Sequence, residues 1–215
     1  MCIRDRRVNV KKTQLLCVSG ATDAQISSFI DVKGGSPIAT GTKLKIPRFI
    51  FGQRLNVSDH VVYIRKKFNA RAWTIWNLKR AGVTGTDLLE LYNCLVCPII
   101  EFATPAYHSL LSLEQSEDLE RLQRRIFKVI FGWNYSYRSV LEHYGLKTLK
   151  ERREESVLKF AQKTADNPRF KDWFKKNPPR KHKTRRNLLY QMSKLKKKRG
   201  RKNPLNYMRE LLNIE

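Results

Sequence analysis

Residues 58–80 read SDHVVYIRKKFNARAWTIWNLKR, and their periodicity decides the fold. Val61, Ile64, Phe68, Ala72, Ile75 and Leu78 recur at steps of three and four. At about 100° per residue that spacing lines one face of a helix. Ser58 stands where an N-cap belongs, and Gly82 ends the pattern. On the same wheel Lys66, Asn69, Trp73, Trp76, Asn77 and Arg80 fall opposite the apolar stripe. Two indoles among cations and amides admit two readings. The plainer is that they pack on a neighbouring helix of a bundle. The other is that they stack on bases or sugars while the cations neutralise phosphate.

Working outward toward the C-terminus, Thr86 or Asp87 is placed to cap a second helix, with Leu88, Leu91, Tyr92 and Leu95 inward. Pro98 and Pro105 break up the next stretch of chain. Ser112-Leu-Glu-Gln115 is a capping box that opens a strong helix with Leu119, Leu122, Ile126, Val129 and Ile130 on one face and Gly132 at its end. Arg121, Arg124, Arg125 and Lys128 lie away from that stripe. Glu117–Arg121 and Glu120–Arg124 have i,i+4 spacing, so a solvated, salt-bridged face is expected ahead of a dedicated nucleic-acid groove. Thr148-Leu-Lys-Glu151 is a second capping box, and its helix is expected to reach about Asp166 before Pro168 stops it.

Residues 177–204 read as a flexible basic arm. No acidic residue occurs between Asp172 and Glu210, a stretch that holds fifteen Lys and Arg. One cluster contains Lys181, Arg185 and Arg186; the other contains Lys196, Lys197, Lys198, Arg199, Arg201 and Lys202. Such clusters grip RNA or DNA at contact distance and also serve as nuclear-import signals; the other reading is a solvated tail. Asn203-Pro204 restarts a short helix over 205–215.

In the other direction, 8–56 reads as short strands and turns: Leu15-Leu16-Cys17-Val18 and Phe49-Ile50-Phe51 are apolar runs, separated by Gly34-Gly35-Ser36-Pro37 and Thr40-Gly41. Residues 1–7 fit nothing downstream and are expected to be an extraneous or disordered leader. The fold class expected is therefore mainly α, a helical bundle over 57–176 with a small N-terminal β hairpin and a basic C-terminal arm.

The net charge of +25 on 215 residues calls for a polyanionic partner, while 41% hydrophobic residues allow a real core. Nucleic acid is the first candidate; an anionic membrane and ribosome-like RNA packing are rivals. No apolar run approaches the roughly 20 residues of a membrane span, and no secretory leader is visible, so nucleus or cytoplasm is expected. Cys94-x-x-Cys97 lacks a second ligand pair, so core cysteines are favoured over zinc. His60, His108, His143 and His182 have no nucleophile partner, and Asp23 and Asp31 do not form the clustered pair that two-metal polymerase chemistry needs. Neither a catalytic nor a metal site is expected in this chain.

Several strings then acquire a joint meaning. Asn9-Val-Lys-Lys12-Thr13 resembles the Asn-x-x-Lys-Thr segment at the end of a reverse-transcriptase palm, and residues 30–38, with Gly-Ser-Pro-Ile, resemble the hairpin after it. Leu91-Tyr92-Asn-Cys-Leu95-Val96-Cys-Pro98-Ile-Ile-Glu101-Phe102-Ala103-Thr-Pro105 is similar to the segment "LY-x-x-LV-x-P-x-x-EYA-x-P" of LINE-type, non-LTR retrotransposon enzymes. Gln115 through Arg125 is similar to the family's "Q-x-x-x-LE-x-(I/L)-QRR", and Leu146-x-x-Leu149-x-x-Arg152-Arg153 to its "L-x-x-L-x-x-RR".

The resemblance covers roughly residues 8–165. It implies a palm edge over 8–56, then thumb and post-polymerase helices over 57–176, whose partners would be an RNA or RNA–DNA template–primer and the palm and fingers of a parent RNA-directed DNA polymerase. It implies that residues 58–80 face nucleic acid, through Lys66, Trp73 and Arg80. The family's paired aspartates, and the Mg they hold, are expected only in a palm preceding Asn9. One departure stands out: the family has Leu-Gly after Lys-(Tyr/Ile) at the primer-gripping hairpin, and here Lys45-Ile46 is followed by Pro47-Arg48. Arginine adopts a positive φ only at a cost, and proline removes a ladder donor. A stand-alone, non-enzymatic basic RNA- or DNA-binding protein is the alternative reading; a helical protein-interaction module is a third.

Overall fold

The computed structural model describes residues 13–16, 40–52, 56–178, 188–192 and 202–214. They form two compact units, Met1–Tyr63 and Ile64–Glu215. The fold is mainly helical, with a small two-stranded antiparallel sheet near the N-terminus, as the sequence patterning predicts.

In the first unit, β1 (Leu15–Leu16) pairs in parallel with β2 (Thr40–Gly41), and β3 (Lys43–Ile46) pairs antiparallel with β4 (Phe49–Gly52). The predicted strands therefore form at Leu15 and Phe49, although Cys17, Val18 and 34–37 lie outside the described residues, as do 1–7. Ile46 pairs with Phe49, which leaves Pro47-Arg48 as a two-residue turn. Proline holds φ near about −65° and Arg48 takes φ 63°, the combination of a type II turn. Pro47 thus sits outside the ladder, where its missing N–H breaks no strand pairing. Phe49 is buried, its ring 4.4 Å from Phe51 and 4.2 Å from His60.

Helix α1 (Ser58–Arg80) starts in this unit and continues into the second. Asn56 Oδ1 accepts the Ser58 N–H at 2.9 Å, so Ser58 is the first helical residue rather than the cap. The apolar stripe faces inward as expected: Ile64, Phe68 and Ile75 are fully buried.

The second unit continues with α2 (Gly85–Leu91), one turn of π-helix (Tyr92–Val96), α3 (Cys97–Glu101), α4 (Thr104–Tyr107), a 3₁₀ turn (His108–Leu110), α5 (Leu113–Phe131), α6 (Tyr137–His143), α7 (Leu149–Ala165), a second 3₁₀ turn (Pro168–Phe170) and α8 (Pro204–Leu212). Thr84, not Thr86 or Asp87, caps α2: its side chain accepts the Asp87 N–H at 3.3 Å. The π turn changes the inward set. Pro98 has no N–H for a bond to the residue-94 carbonyl, and the Cys97 N–H reaches back to the Tyr92 carbonyl instead. The extra residue rotates the phase, so Val96 is buried where Leu95 was expected, and Leu95 is exposed.

Both capping boxes form as spelled, Ser112 with Gln115 and Thr148 with Glu151. Leu119, Leu122, Ile126 and Ile130 of α5 are buried with Phe127, whose ring meets Tyr92 edge-on at 5.2 Å. Helix α7 packs on α4, α5 and α8. A second cluster joins Val157 and Ala161 of α7 to Phe174, Tyr190 and Met208.

Part of the segment read as an arm is held in that cluster. Lys176 bridges to Tyr190, the Asn177 N–H donates to the Leu189 carbonyl at 2.8 Å, and the Tyr190 N–H donates to Asn213 at 2.7 Å. The aromatic ring supplies apolar area that a composition count of cations conceals. Among the described residues no single helix is long and apolar enough to cross a membrane.

Candidate nucleic-acid interface

Helices α1 and α5 enclose a groove of about 480 Å³. Phe68, Asn69, Ala72, Trp73 and Trp76 of α1 line one wall; Arg125, Ile126 and Val129 of α5 line the other. Phe68 and Ala72 bring residues of one apolar stripe to the groove and Ile126 and Val129 bring residues of the other, with Asn69, Trp73, Trp76 and Arg125 lining it as well. Trp73 and Arg125 thus line the same groove from different helices.

The indoles do not pack into the bundle. Trp73 is 65% exposed and Trp76 42% exposed, so neither indole is buried among the described residues. The Arg80 guanidinium lies over the Trp76 ring at 4.7 Å from its centroid, as a cation–π pair one helical turn apart. Lys66, Trp73 and Arg80 succeed one another at seven-residue intervals and share one side of α1; Lys66 is exposed there but does not line the groove. From His60 to Thr86 the chain carries Arg65, Lys66, Lys67, Arg71, Lys79 and Arg80 and no acidic residue.

On α5 the four predicted cations divide. Arg121 pairs with Asp118 at 2.7 Å and Arg124 with Glu117 at 3.0 Å, with both pairs well exposed, so these two belong to the solvated face expected from the charge pattern. The partners differ from the expected i,i+4 pairs because Glu120 points inward. Lys128 lies over the exposed Trp133 ring at 4.9 Å. Arg125 alone of the four lines the groove.

Glu120 belongs to a buried polar cluster that charge spacing did not reveal. Gln123 accepts the Leu149 N–H at 3.1 Å and the Tyr137 hydroxyl at 2.8 Å; Glu120 accepts the same two donors at 3.3 Å. Arg153 is fully buried, donates to Ser116 at 2.8 Å and stands 3.8 Å from Glu120. Burial raises the Glu120 pKa against the pull of Arg153 and lowers that of Arg153. The sequence signal for Glu120 was its place beside Leu119 and three residues before Gln123, which puts it at the edge of the apolar stripe.

Arg152, next in sequence, leaves that cluster and pairs with Glu101 at 2.5 Å. It lines a second, polar cleft with Lys147, Glu155 and Lys159, where Glu155 joins both lysines, at 2.7 and 2.9 Å. Each of these cations has a carboxylate partner, whereas no acidic residue is among the described residues lining the α1–α5 groove.

Of the arm residues, Lys181, Arg185, Arg186, Lys196, Lys197, Lys198, Arg199 and Arg201 lie outside the described residues. Lys202 is described and is anchored: its ammonium donates to the Leu111 carbonyl at 3.4 Å and its own carbonyl accepts from Ser109 at 2.9 Å. The two expected core cysteines part company, because the phase of the π turn buries Cys97 and exposes Cys94. Burial pushes the Cys97 thiol up to about 11, the opposite of a metal-ligating or nucleophilic thiolate.

In comparisons with known proteins, the chain matches no family model, no curated protein and no solved structure.

Proposed function

We propose that this chain is the thumb and post-polymerase portion of a LINE-type reverse transcriptase, and that it holds template–primer nucleic acid without itself synthesising DNA. The observation that carries the binding half is the α1–α5 groove. It combines two exposed indoles with Arg125, Arg80 lies over the ring of one of those indoles, and no acidic side chain is among its described lining residues. Phosphate neutralisation supplies affinity in such a site, and aromatic faces supply stacking.

The family half is supported by where the resembling strings meet. Glu101 of the proline-rich string pairs with Arg152 of the "L-x-x-RR" string, and Gln123 of the "QRR" string caps Leu149 of the same one. Strings separated by up to 51 residues are thus joined by side-chain bonds. That is a physical reason for them to occur together. On this reading the polymerase aspartates and their Mg belong to a palm that precedes Asn9, and the two-residue turn at Pro47-Arg48 replaces the glycine-containing primer-gripping hairpin.

The test is fluorescence anisotropy of the purified chain with an RNA–DNA hybrid across a salt series, beside a primer-extension assay. The expected result is an affinity that falls linearly on a log–log plot against salt, with a slope that shrinks by about one phosphate charge for Arg125→Ala. Affinity indifferent to salt would sink the binding half. Nucleotide incorporation by the chain alone would sink the statement that it does not polymerise.

A further inference from the structure

Resting on the nucleic-acid reading, we infer that the α1–α5 groove takes an unpaired base, with Trp73 as the stacking platform and Arg125 contacting the neighbouring phosphate. The chemistry of the walls discriminates between paired and unpaired strands. A duplex presents phosphates and sugar edges outward, and its base faces are stacked away from solvent. A site built for that surface alone requires cations and hydrogen-bond donors. The lining of this groove includes Phe68 and Ala72 of α1 and Ile126 and Val129 of α5, of which Ala72 and Val129 are partly exposed, together with an indole that is two-thirds exposed. A flat, weakly polar occupant with a charged attachment fits both features at once. Its face lies on Trp73, and its phosphate is met by Arg125.

Two further features point the same way. The volume of about 480 Å³ leaves room for a single base; the second cleft is as large, and its lining of paired charges is what sets it apart. Asn69 stands among the lining residues and brings an amide with both donors and an acceptor to the edge of whatever stacks there. Trp76, with Arg80 over its ring, is already engaged on one face and forms the end of the platform.

The experiment compares three labelled probes on the full chain: a blunt RNA–DNA hybrid, the same hybrid with a single-stranded extension, and the extension strand alone. A 2-aminopurine in the extension reports stacking by fluorescence quenching. The expected result is that the extension tightens binding and quenches on addition of protein. Trp73→Ala should then abolish the quenching and weaken the extended probe about 5- to 150-fold, a loss clearly larger than the one it causes on the blunt hybrid. Trp73→Phe, which keeps an aromatic face, should restore part of both, and matching circular-dichroism spectra and melting points of all variants check their folding.

Equal affinity for blunt and extended hybrids, or a Trp73→Ala loss shared equally between them, overturns the unpaired-base assignment while leaving duplex binding standing. Salt-dependent binding of all three probes that Trp73→Ala and Trp73→Phe do not touch also overturns it and returns the groove to a protein-docking role. Failure of every probe to bind overturns both this inference and the proposed function.

Discussion

Gln123 Oε1 accepts the backbone N–H of Leu149 at 3.1 Å, so a side chain of α5 satisfies one of the orphan donors at the start of α7. The same oxygen takes the Tyr137 hydroxyl, and Glu120 backs up both bonds. Three helices are therefore tied together by two adjacent polar side chains on the buried edge of α5. Replacing Gln123 with Leu should cost about 1–3 kcal/mol, the penalty for weakening buried donors. Glu120→Ala should cost more, roughly 3–5 kcal/mol, because it strips the carboxylate beside the fully buried Arg153. Urea unfolding measures both; equal losses below about 0.5 kcal/mol would mean that the cluster is as inconsequential as an ordinary surface site.

Thr148 closes the capping box of α7, accepting the Glu151 N–H at 3.2 Å while Glu151 accepts the Thr148 N–H at 2.9 Å. Thr148→Ala should lower stability by about 1 kcal/mol, and Thr148→Ser should be nearly neutral, since serine retains the capping hydroxyl. Thermal melts of the two variants side by side check the order.

His108 sets an acid limit. Burial, reinforced by the charges of Arg153 and Lys150, holds its imidazole down at about 4 from an ordinary 6.5. The unfolded chain therefore binds a proton that the native state refuses between those values. Stability is complete above pH 6.5 and falls as pH drops toward 4. His60, lowered to about 4 by burial, acts in the same direction. Glu120, whose pKa is raised, acts oppositely, losing stability as pH climbs from 4.5. His108→Gln keeps a partner for the Tyr207 hydroxyl, which lies 3.3 Å away, and should reduce the stability slope near pH 5 by about one proton, or ~1.4 kcal/mol per pH unit. An unchanged slope would show that His108 is charged in the native state.

Arg48 occupies a left-handed conformation at φ 63° in the hairpin turn. That conformation costs a side-chain-bearing residue about 1 kcal/mol and glycine almost nothing. Arg48→Gly should raise the unfolding free energy by about 0.5–1 kcal/mol, less whatever the arginine side chain contributes through its own contacts. A drop in melting temperature would mean that those contacts outweigh the backbone strain.

Periodicity and capping chemistry were enough to locate the main elements. The stripe from Val61 to Leu78, the boxes at Ser112 and Thr148, and the Asn203-Pro204 start of α8 all appear where the residues placed them. These signals are local: a cap satisfies N–H groups within one turn, and a three–four repeat defines a face with no reference to the rest of the chain. The register after α2 was not local in that sense. Accommodating Pro98 with a π turn shifted the phase within Tyr92–Val96, which leaves Val96 buried and Leu95 exposed, and Cys97 buried and Cys94 exposed.

By itself the sequence determined which face of each helix is apolar and how much positive charge the chain carries, because both depend only on residue type and spacing. Only the tertiary structure decided which polar edges meet. It turned Glu120 inward and left Arg121 and Arg124 with Asp118 and Glu117. It also set Arg125 and Trp73 on the same groove and drew Tyr190 out of an apparently basic arm into an apolar cluster. Helix crossing geometry settles those meetings, and crossing geometry depends on how whole stripes of side chains interlock rather than on any one of them.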